Sequence, residues 1–302
     1  MPFKNSEVNM QVDNRVTGKT RLIGVIGNPI AHSISPQLHN TICSHLNLDL
    51  VYVPFRVERN DLEQAIKGFK ALNFIGFNIT IPYKKDVMKY IDENTKEALL
   101  MGAVNTVKNI DGRLYGYNTD AEGFSRSFKE GSGISFRERE IALLGAGGTA
   151  RAIAVKLALE GARKINILNR TISKAEEITE IVNNNVKPVA YAHLLESVTA
   201  REAFARSSVI INTTPAGMHP DIDSCPVGND FEFSPEQIVY DVIYNPVKTR
   251  FLHRAEEKGC KTVNGLGMLF YQGIYAFEIW TGIRLDDETL KESYKSFLTI
   301  MA

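Results

Sequence analysis

Short apolar runs alternate with amphipathic stretches along most of the chain. In the first part of the sequence the apolar runs predict strands, and stretches with apolar residues at helical spacing predict helices. The predicted strands are 22–27, 51–57 and 76–81, and the predicted helices are 35–46, 61–72 and 95–100. Strands that alternate with helices indicate a mainly parallel, doubly wound α/β sheet.

The same alternation continues after residue 140 and predicts a second sheet. Its predicted strands are 141–144, 164–171, 187–191, 208–212, 238–244 and 261–263, with a helix at 152–161. From Gly265 onwards the chain is helical in character and rich in aromatic residues. The pattern predicts an α/β protein of two lobes. A length of 302 residues is also typical of about two domains.

Strand 141–144 breaks into a glycine turn that leads into a helix. Gly145 permits a tight turn, Gly147 lets the backbone approach a pyrophosphate, and Ala150 allows the helix to pack against its strand. The amide groups at such a helix N-terminus receive an anion. The pattern alone also fits a turn that binds nothing, but strand 164–171 follows at the distance of a strand–helix–strand unit and favours a dinucleotide site.

The end of that second strand is expected beside the ribose of the dinucleotide. A site for NAD carries an Asp or Glu about 20 residues beyond the glycines, whereas an arginine suits the 2′-phosphate of NADP. Here the acid is missing, and Asn169, Arg170, Thr171 and Lys174 stand in its place. A solvated basic helix start is the alternative, but together these residues point to NADP.

Composition narrows the class of protein. Lys and Arg total 35, as do Asp and Glu, and this balance gives no reason to expect nucleic acid or an anionic membrane as a partner. Cys43, Cys225 and Cys260 lack C-x-x-C spacing, which argues for a reducing compartment and against a zinc site. The first 20 residues are polar, and no apolar run approaches the ~18 residues of a membrane span, so we expect a cytoplasmic location.

Polar clusters follow several predicted strands, where open α/β sheets bind their ligands. In the first cluster, Ser33 and Ser35 are two apart with a proline after the second, so both hydroxyls can face one way at a helix start and bind a carboxylate. An N-cap role for Ser35 is the alternative. His32 and His39 have no evident acidic partner and are interpreted as structural.

The second cluster supplies a candidate proton donor. Strand alternation places Asn78 and Thr80 on the polar face of strand 76–81, with Lys84 just past its end. A lysine there can donate a proton to an oxygen that gains negative charge, as the reduction of a ketone requires. Lys85 competes for the role, and either residue also fits an ordinary surface lysine.

Two further clusters add an acid and an amide. Asp120 fits a routine turn by composition, but at a lobe junction it could hold a substrate hydroxyl and pair with a lysine. The last cluster covers residues 212–218, 240–246 and 265–272, where apolar positions fit a core. Gln272 is distinctive there because it is polar within a largely apolar helix.

Together these clusters resemble the shikimate dehydrogenase family, including its quinate/shikimate branch. The resemblance covers about residues 22–282, and six motifs occur in the family's order. They are GNPIAHSISPQLHN, GFNITIPYKK, GAVNT, GYNTD, GAGGTARA with its partner NRT, and GLGMLFYQG. Each motif alone is open to other interpretations, whereas the ordered set is highly specific.

The resemblance implies a fold and an activity. The expected fold has an N-terminal α/β substrate-binding domain, residues 21–122 with 264–302, and a Rossmann NADP-binding domain, residues 123–263. The C-terminal helices return to the first lobe, and residues 1–20 form a polar leader. The expected activity is the reversible NADP(H)-dependent reduction of 3-dehydroshikimate to shikimate, an oxidoreductase step of aromatic amino acid biosynthesis.

The resemblance also assigns roles by position. Lys84 matches the catalytic lysine, and Asp120 is expected to act with it. The expected substrate contacts are Ser33, Ser35, Thr80, Asn105, Asp120, Tyr244 and Gln272. The expected dinucleotide contacts are Gly145, Ala146, Gly147, Gly148, Thr149, Asn169, Arg170, Thr171 and Lys174, with Thr214, Val242, Gly265 and Met268 near the nicotinamide half.

Two features resemble the quinate/shikimate branch, some of whose members use NAD and accept quinate. They are Tyr117 and the ending Trp280-Thr281-Gly282. We favour shikimate with NADP because Arg170 has a direct electrostatic reason to prefer a phosphate, and a quinate/shikimate dehydrogenase that uses NAD is the alternative. A non-catalytic sensor with the same fold is disfavoured by the presence of both Lys84 and Asp120. The sequence leaves a homodimer open.

Overall fold

The computed structural model describes residues 16–301, which fold around two six-stranded sheets. Most of the leader predicted over residues 1–20 therefore lies outside the described residues. The strands of the first sheet run in the order β2-β1-β3-β5-β6-β4. They are β1 (Arg21–Gly27), β2 (Leu50–Arg56), β3 (Gly76–Ile79), β4 (Glu93–Asn94), β5 (Thr106–Ile110) and β6 (Arg113–Tyr117), and the helices among them are α1 (Ser35–His45), α2 (Leu62–Ala71) and α3 (Lys96–Met101).

The first sheet is mixed rather than mainly parallel. Strand β1 pairs in parallel with β2 and β3, as expected, but β5 runs antiparallel to both β3 and β6. Strands β5 and β6 form a hairpin whose two loop residues, Asp111 and Gly112, both have positive φ. Asp-Gly is a strong hairpin signal because this turn needs positive φ at both positions. The predicted strands do not include this hairpin, because the residues around it were interpreted only as polar clusters.

The second sheet is entirely parallel, as predicted. Its strands are β7 (Glu140–Leu144), β8 (Lys164–Asn169), β9 (Ala190–Leu194), β10 (Val209–Asn212), β11 (Ile238–Asp241) and β12 (Lys261–Val263), in the order β12-β11-β10-β7-β8-β9. This is the Rossmann order, in which ligands bind where the winding reverses. That point lies between β7 and β10.

Strand β9 begins three residues later than the predicted strand 187–191. Pro188 has no amide proton, and the Val189 amide donates back to the Lys187 carbonyl, so this segment turns before the sheet begins. The Asn183 side chain then bonds both the amide and the carbonyl of Ala190, at 2.9 and 3.0 Å. A side chain from the preceding helix therefore fixes where the strand starts.

Seven helices connect and cover the second sheet or follow it among the described residues. They are α4 (Asp120–Ser132), α5 (Gly148–Leu159), α6 (Ile172–Asn185), α7 (Val198–Arg206), α8 (Arg250–Glu257), α9 (Leu266–Thr281) and α10 (Asp287–Met301). Helix α4 was not predicted, since its glycines and serines weaken the helical pattern. The turn interpretation of Asp120 was wrong, because this residue begins α4.

The C-terminal helices pack against the first sheet, which confirms that part of the predicted fold. Phe270, Ile274 and Phe277 of α9 are fully buried in one apolar cluster with Ile23 of β1 and Ile42 of α1. The Trp280 indole also donates to the Val107 carbonyl of β5 at 2.9 Å. The chain thus leaves the first lobe and comes back to complete it.

Helices α4 and α9 approach each other closely at two glycines. A Cβ atom on Gly123 would lie 2.6 Å from the Gln272 backbone nitrogen and 2.8 Å from the Met268 carbonyl oxygen. A Cβ atom on Gly267 would overlap the Ser127 hydroxyl. Real Cβ atoms do not come this close, so the approach of the two helices depends on glycine.

None of the helices formed by residues 16–301 is long and apolar enough to cross a membrane.

We expect Gly123→Ala to destabilise the protein by about 1–3 kcal/mol, because the new methyl group meets backbone atoms that cannot move aside. Chemical denaturation measures the change. Gly68→Ala in α2 is the matched control, since its Cβ atom would have no neighbour within 4 Å and alanine favours a helix. Equal stabilities of the two variants would contradict the close α4–α9 contact.

Candidate active site

A cavity of about 320 Å³, called here the first cavity, lies between the carboxyl ends of β1 and β3 and helix α9. The loop after β11 forms another part of its wall. The structure brings together here every residue predicted to contact substrate and the predicted catalytic residue Lys84. These are Ser33, Ser35, Thr80, Lys84, Asn105, Asp120, Tyr244 and Gln272.

Lys84 and Asp120 form an ion pair in this cavity. The Lys84 Nζ atom lies 2.7 Å from Asp120 Oδ2, and the two side chains are 32% and 20% exposed. Lys84 follows β3 across a short turn, and Asp120 is the first residue of α4, where a negative charge is favoured by the helix dipole. The ammonium group is thus held by a carboxylate and still accessible from the cavity.

Asn105 fixes the carboxylate of this pair. Its Nδ2 atom donates to Asp120 Oδ1 at 2.9 Å, and its Oδ1 atom accepts from the Thr119 amide at 2.7 Å. Asn105 is only 2% exposed, so its amide cannot rotate freely. Both carboxylate oxygens of Asp120 therefore have defined partners before any ligand binds.

Asn78 also lines the cavity, although no role was predicted for it. Its Nδ2 atom donates to the Asn105 carbonyl at 2.9 Å, and its Oδ1 atom accepts from the Tyr52 hydroxyl at 2.8 Å. The sequence did place Asn78 on the polar face of its strand beside Thr80. The alternation of side chains along the strand is the sequence signal that places Asn78 at this site.

The two predicted carboxylate-binding serines lie at the entry to α1. Ile34 occupies the N-cap position, and no side chain caps this helix, so the N-cap interpretation of Ser35 was wrong. Ser33 sits in the preceding turn, where its amide donates to the Ile30 carbonyl at 3.0 Å. Both serines line the first cavity, and His32 lies beside them in its wall.

A second cavity of about 700 Å³ lies at the carboxyl end of β7. Gly145 has a φ of 102°, and a Cβ atom there would lie 2.8 Å from the Thr213 hydroxyl, so the turn needs glycine. At Gly147 and Gly148, in contrast, a Cβ atom would meet nothing within 4 Å. The N-terminus of α5 has no side-chain cap and faces open space, which fits the pyrophosphate of a dinucleotide.

The predicted dinucleotide contacts divide between the two cavities. Gly148 and Thr149 belong to the first turn of α5, outside the lining of either cavity. Val242, Gly265 and Met268 line the first cavity, together with Lys84. The others line the second cavity and are Gly145, Ala146, Gly147, Asn169, Arg170, Thr171, Lys174 and Thr214.

Arg170 and Lys174 lie at the far end of the second cavity, after β8. Both side chains are exposed, and within residues 16–301 neither forms an ion pair. Uncompensated cations at this position can bind a phosphate group through charge-assisted hydrogen bonds.

A buried network around Asp241 connects the walls of the two cavities. Asp241 accepts hydrogen bonds from the Asn212 side chain at 3.0 Å, the Thr249 hydroxyl at 2.7 Å and the Ile243 amide at 3.1 Å. Asn212 in turn accepts from the Thr214 amide and hydroxyl. Burial raises the pKa of Asp241 to about 6, which the three hydrogen bonds oppose. Sequence reasoning gave Asp241 no role.

His39 lies beneath the site and makes no polar contact with residues 16–301. Its ring is fully buried and stacks on Tyr52, with ring centroids 4.4 Å apart. Burial lowers the pKa of His39 to about 3. The interpretation of His39 as a structural residue agrees with this apolar setting.

A parallel Rossmann sheet beside a cavity with a lysine–aspartate pair is the architecture of a dinucleotide-dependent oxidoreductase. Three family models match the chain. They describe a shikimate dehydrogenase substrate binding domain at residues 25–107, a shikimate/quinate 5-dehydrogenase at 128–217 and a shikimate 5'-dehydrogenase C-terminal domain at 265–293. The chain belongs to the shikimate dehydrogenase family.

Relatives match nearly the whole chain. A shikimate dehydrogenase (NADP(+)) from Alkaliphilus oremlandii is 43% identical, over 92% of this chain and 97% of its own length. Shikimate 5-dehydrogenase from Listeria monocytogenes, solved with shikimate and NAD, is 41% identical with a TM-score of 0.88, covering 93% of this chain and 98% of its own. Quinate dehydrogenase from Corynebacterium glutamicum, solved with NAD, is 29% identical with a TM-score of 0.83, covering 93% and 99%. The family resemblance and the predicted fold class are confirmed.

The two features that resembled the quinate/shikimate branch lie outside the lining of the first cavity. The Tyr117 carbonyl accepts from the Asn105 amide in the hairpin, and Trp280 is buried near His39 and Tyr52. Neither side chain is among those that line the cavity. They therefore give no direct reason to prefer quinate as the ligand.

We expect the burial of His39 to make the protein acid-sensitive. An unfolded histidine binds a proton near pH 6.5, whereas folded His39 does so only near pH 3. Neutral, buried His39 therefore makes its full contribution to the free energy of unfolding above pH 6.5. As the pH falls towards 3, this free energy decreases by up to about 1.4 kcal/mol per pH unit. Denaturation of the wild type and His39→Phe across this range measures it. A difference in stability that does not change with pH would contradict the prediction.

Proposed function

We propose that this protein catalyses the reversible NADP(H)-dependent reduction of 3-dehydroshikimate to shikimate. The observation that carries the proposal is the Lys84–Asp120 pair, which shares one cavity with the residues expected near the nicotinamide. A proton donor and a hydride donor must both reach one carbonyl group, and a shared cavity satisfies that requirement. The identity to shikimate dehydrogenases over most of the chain supports the choice of substrate.

The reaction needs one proton and one hydride. NADP(H), held by the residues of the second cavity, would supply the hydride to the carbonyl carbon or accept it in the reverse direction. Lys84 Nζ donates a proton to the carbonyl oxygen, so that C=O becomes CH–OH. In reverse, the Lys84 amine takes the proton from the hydroxyl group. Asp120, 2.7 Å away, orients Nζ, and its carboxylate can also accept a hydrogen bond from a substrate hydroxyl.

The other residues of the first cavity bind and orient the substrate in this proposal. The hydroxyls of Ser33 and Ser35 donate to the substrate carboxylate at the entry to α1. Thr80, Asn105 and Gln272 hold ring hydroxyls from the opposite walls, and Tyr244, which is 40% exposed, lies at the rim. Neutral donors suffice for a carboxylate that stays partly solvated.

At the second cavity, the backbone of Gly145, Ala146 and Gly147 holds the pyrophosphate, with the amides of Gly148 and Thr149 at the adjoining N-terminus of α5. Arg170 and Lys174 bind the 2′-phosphate of NADP, with Asn169 and Thr171 beside them. We propose the domain limits deduced from the sequence: residues 21–122 with 264–302 bind substrate, and residues 123–263 bind NADP. A cytoplasmic location stays a prediction, and the sequence leaves a homodimer open.

The test of this function is a spectrophotometric assay at 340 nm that crosses shikimate and quinate with NADP+ and NAD+. We expect the highest kcat/KM for shikimate with NADP+. Quinate with NAD+ at an equal or higher value would favour the alternative enzyme of the quinate/shikimate branch. No turnover in any of the four combinations would favour a non-catalytic sensor.

The choice of cofactor is tested by Arg170→Ala in the same assay. Loss of a charge-assisted contact to the 2′-phosphate should raise KM for NADP+ by about tenfold, equivalent to about 1.4 kcal/mol, and leave KM for NAD+ nearly unchanged. Lys187→Ala removes an exposed cation away from the cavity and is the control. A proportional change for both cofactors would refute the assigned role of Arg170.

The role of Lys84 is tested by Lys84→Ala, for which we expect kcat to fall by about 10²–10⁴, because the proton donor is lost. Calorimetry should show that shikimate still binds, since the serines and amides of the cavity are intact. Lys85→Ala is the matched control: it is the next residue, exposed and outside the cavity lining. An unchanged kcat in Lys84→Ala would exclude it as the proton donor.

A further inference from the structure

Arg151 lies in the first turns of α5, immediately after the glycine turn, but its side chain contacts the first lobe. The guanidinium Nε atom donates to the Leu100 carbonyl at 2.8 Å, and Nη2 donates to the Leu99 carbonyl at 3.4 Å. These carbonyls belong to the last turn of α3. The helix that carries the dinucleotide cradle is therefore hydrogen-bonded to a helix of the other lobe.

The acceptor groups suit a cation. The last carbonyls of a helix have few intrahelical partners and carry the negative end of the helix dipole. Of the two acceptors, the Leu99 carbonyl also accepts from the Gly102 amide at 3.2 Å. Helix α3 ends at Met101, and its C-cap residue, Gly102, has a φ of 66°. A Cβ atom there would lie 2.6 Å from the Arg151 Cζ atom, so the guanidinium packs directly on this glycine. The side chain from the second lobe therefore packs against the backbone of the first lobe at a position that needs glycine.

The segment held by Arg151 leads straight to the catalytic pair. Two residues after Gly102, the Val104 amide donates to the Lys84 carbonyl at 2.8 Å. The next residue, Asn105, holds the Asp120 carboxylate at 2.9 Å. Val104, which is bonded to Lys84, and Asn105, which holds Asp120, thus follow closely after Gly102. Arg151 packs on this glycine.

We propose that Arg151 is a positioning residue that sets the distance between the dinucleotide cradle and the Lys84–Asp120 pair. This inference rests on the proposed function. Hydride transfer requires the reacting atoms to be about 3–3.5 Å apart, and a misplacement of about 1 Å costs about 10²-fold in rate. Each ligand contacts mainly its own lobe, so a change in this distance lowers kcat while the binding of either ligand alone changes little.

The experiment compares Arg151→Met, which keeps an apolar stem but removes the donors, with Arg151→Lys, which keeps one donor. Arg139→Ala is the matched control, because its guanidinium donates to the Ser135 carbonyl within the second lobe. We expect kcat of Arg151→Met to fall by about 10²-fold, with shikimate affinity and melting temperature near those of the wild type. Arg151→Lys should recover kcat to within about threefold of the wild type.

Hydrogen exchange of the free protein gives a readout that does not depend on activity. Amides of residues 99–105 should exchange faster in Arg151→Met than in the wild type and Arg139→Ala. An unchanged kcat, a loss of folding, or a fall in kcat that tracks the melting temperature without rescue by lysine would overturn the proposal. If wild-type protein fails to turn over shikimate with NADP+, the proposed function fails, whereas the exchange comparison still decides whether Arg151 orders this segment.

Discussion

The close approach of helices α4 and α9 joins parts of the chain that are far apart in sequence. Gly123 faces the backbone of Met268 and Gln272, and Gly267 faces Ser127, so the two helices come nearer than side chains at these positions would permit. Helix α4 begins with Asp120, and α9 carries Gln272. Their approach therefore places Asp120 and Gln272, which are far apart in sequence, in one cavity. The rest of the site is built around this contact, because each lobe contributes one wall to the same cavity.

Two buried hydrogen-bond networks then hold the polar groups of the site. Asn105 orients the carboxylate of Asp120 in the first lobe, and Asp241 binds the ends of β10 and β11 in the second. Buried polar groups without partners are costly, whereas satisfied networks make a structure rigid. Burial is unfavourable for the charged carboxylate of Asp241 and raises its pKa, whereas the hydrogen bonds oppose this shift. Its hydrogen bonds make it a fixed support for the loop that carries Val242 and Tyr244.

The sequence predicted much of this protein, because several of its signals are local. Apolar runs separated by helical stretches predicted the parallel second sheet, and the glycine turn after β7 predicted the second cavity. The ordered motifs indicated the family, which the comparisons confirmed. Lys84 and Ser33 were identified because each follows a strand in a distinctive polar cluster. These features depend on neighbouring residues and on the alternation of side chains in a strand.

Some features of this protein depend on contacts between distant segments, which local sequence patterns do not show. Helix α4 escaped prediction because the glycines that weaken it locally are the ones its packing requires. His39 and Asp241 are shifted in pKa by burial, which arises only when distant elements cover them. In the sequence Arg151 belongs to a glycine motif, but in the structure its side chain donates a hydrogen bond to a carbonyl of another helix, α3. Local sequence thus determined many of the elements and most of the candidate groups, and packing between distant segments determined their distances, their protonation and the residues that hold them in place.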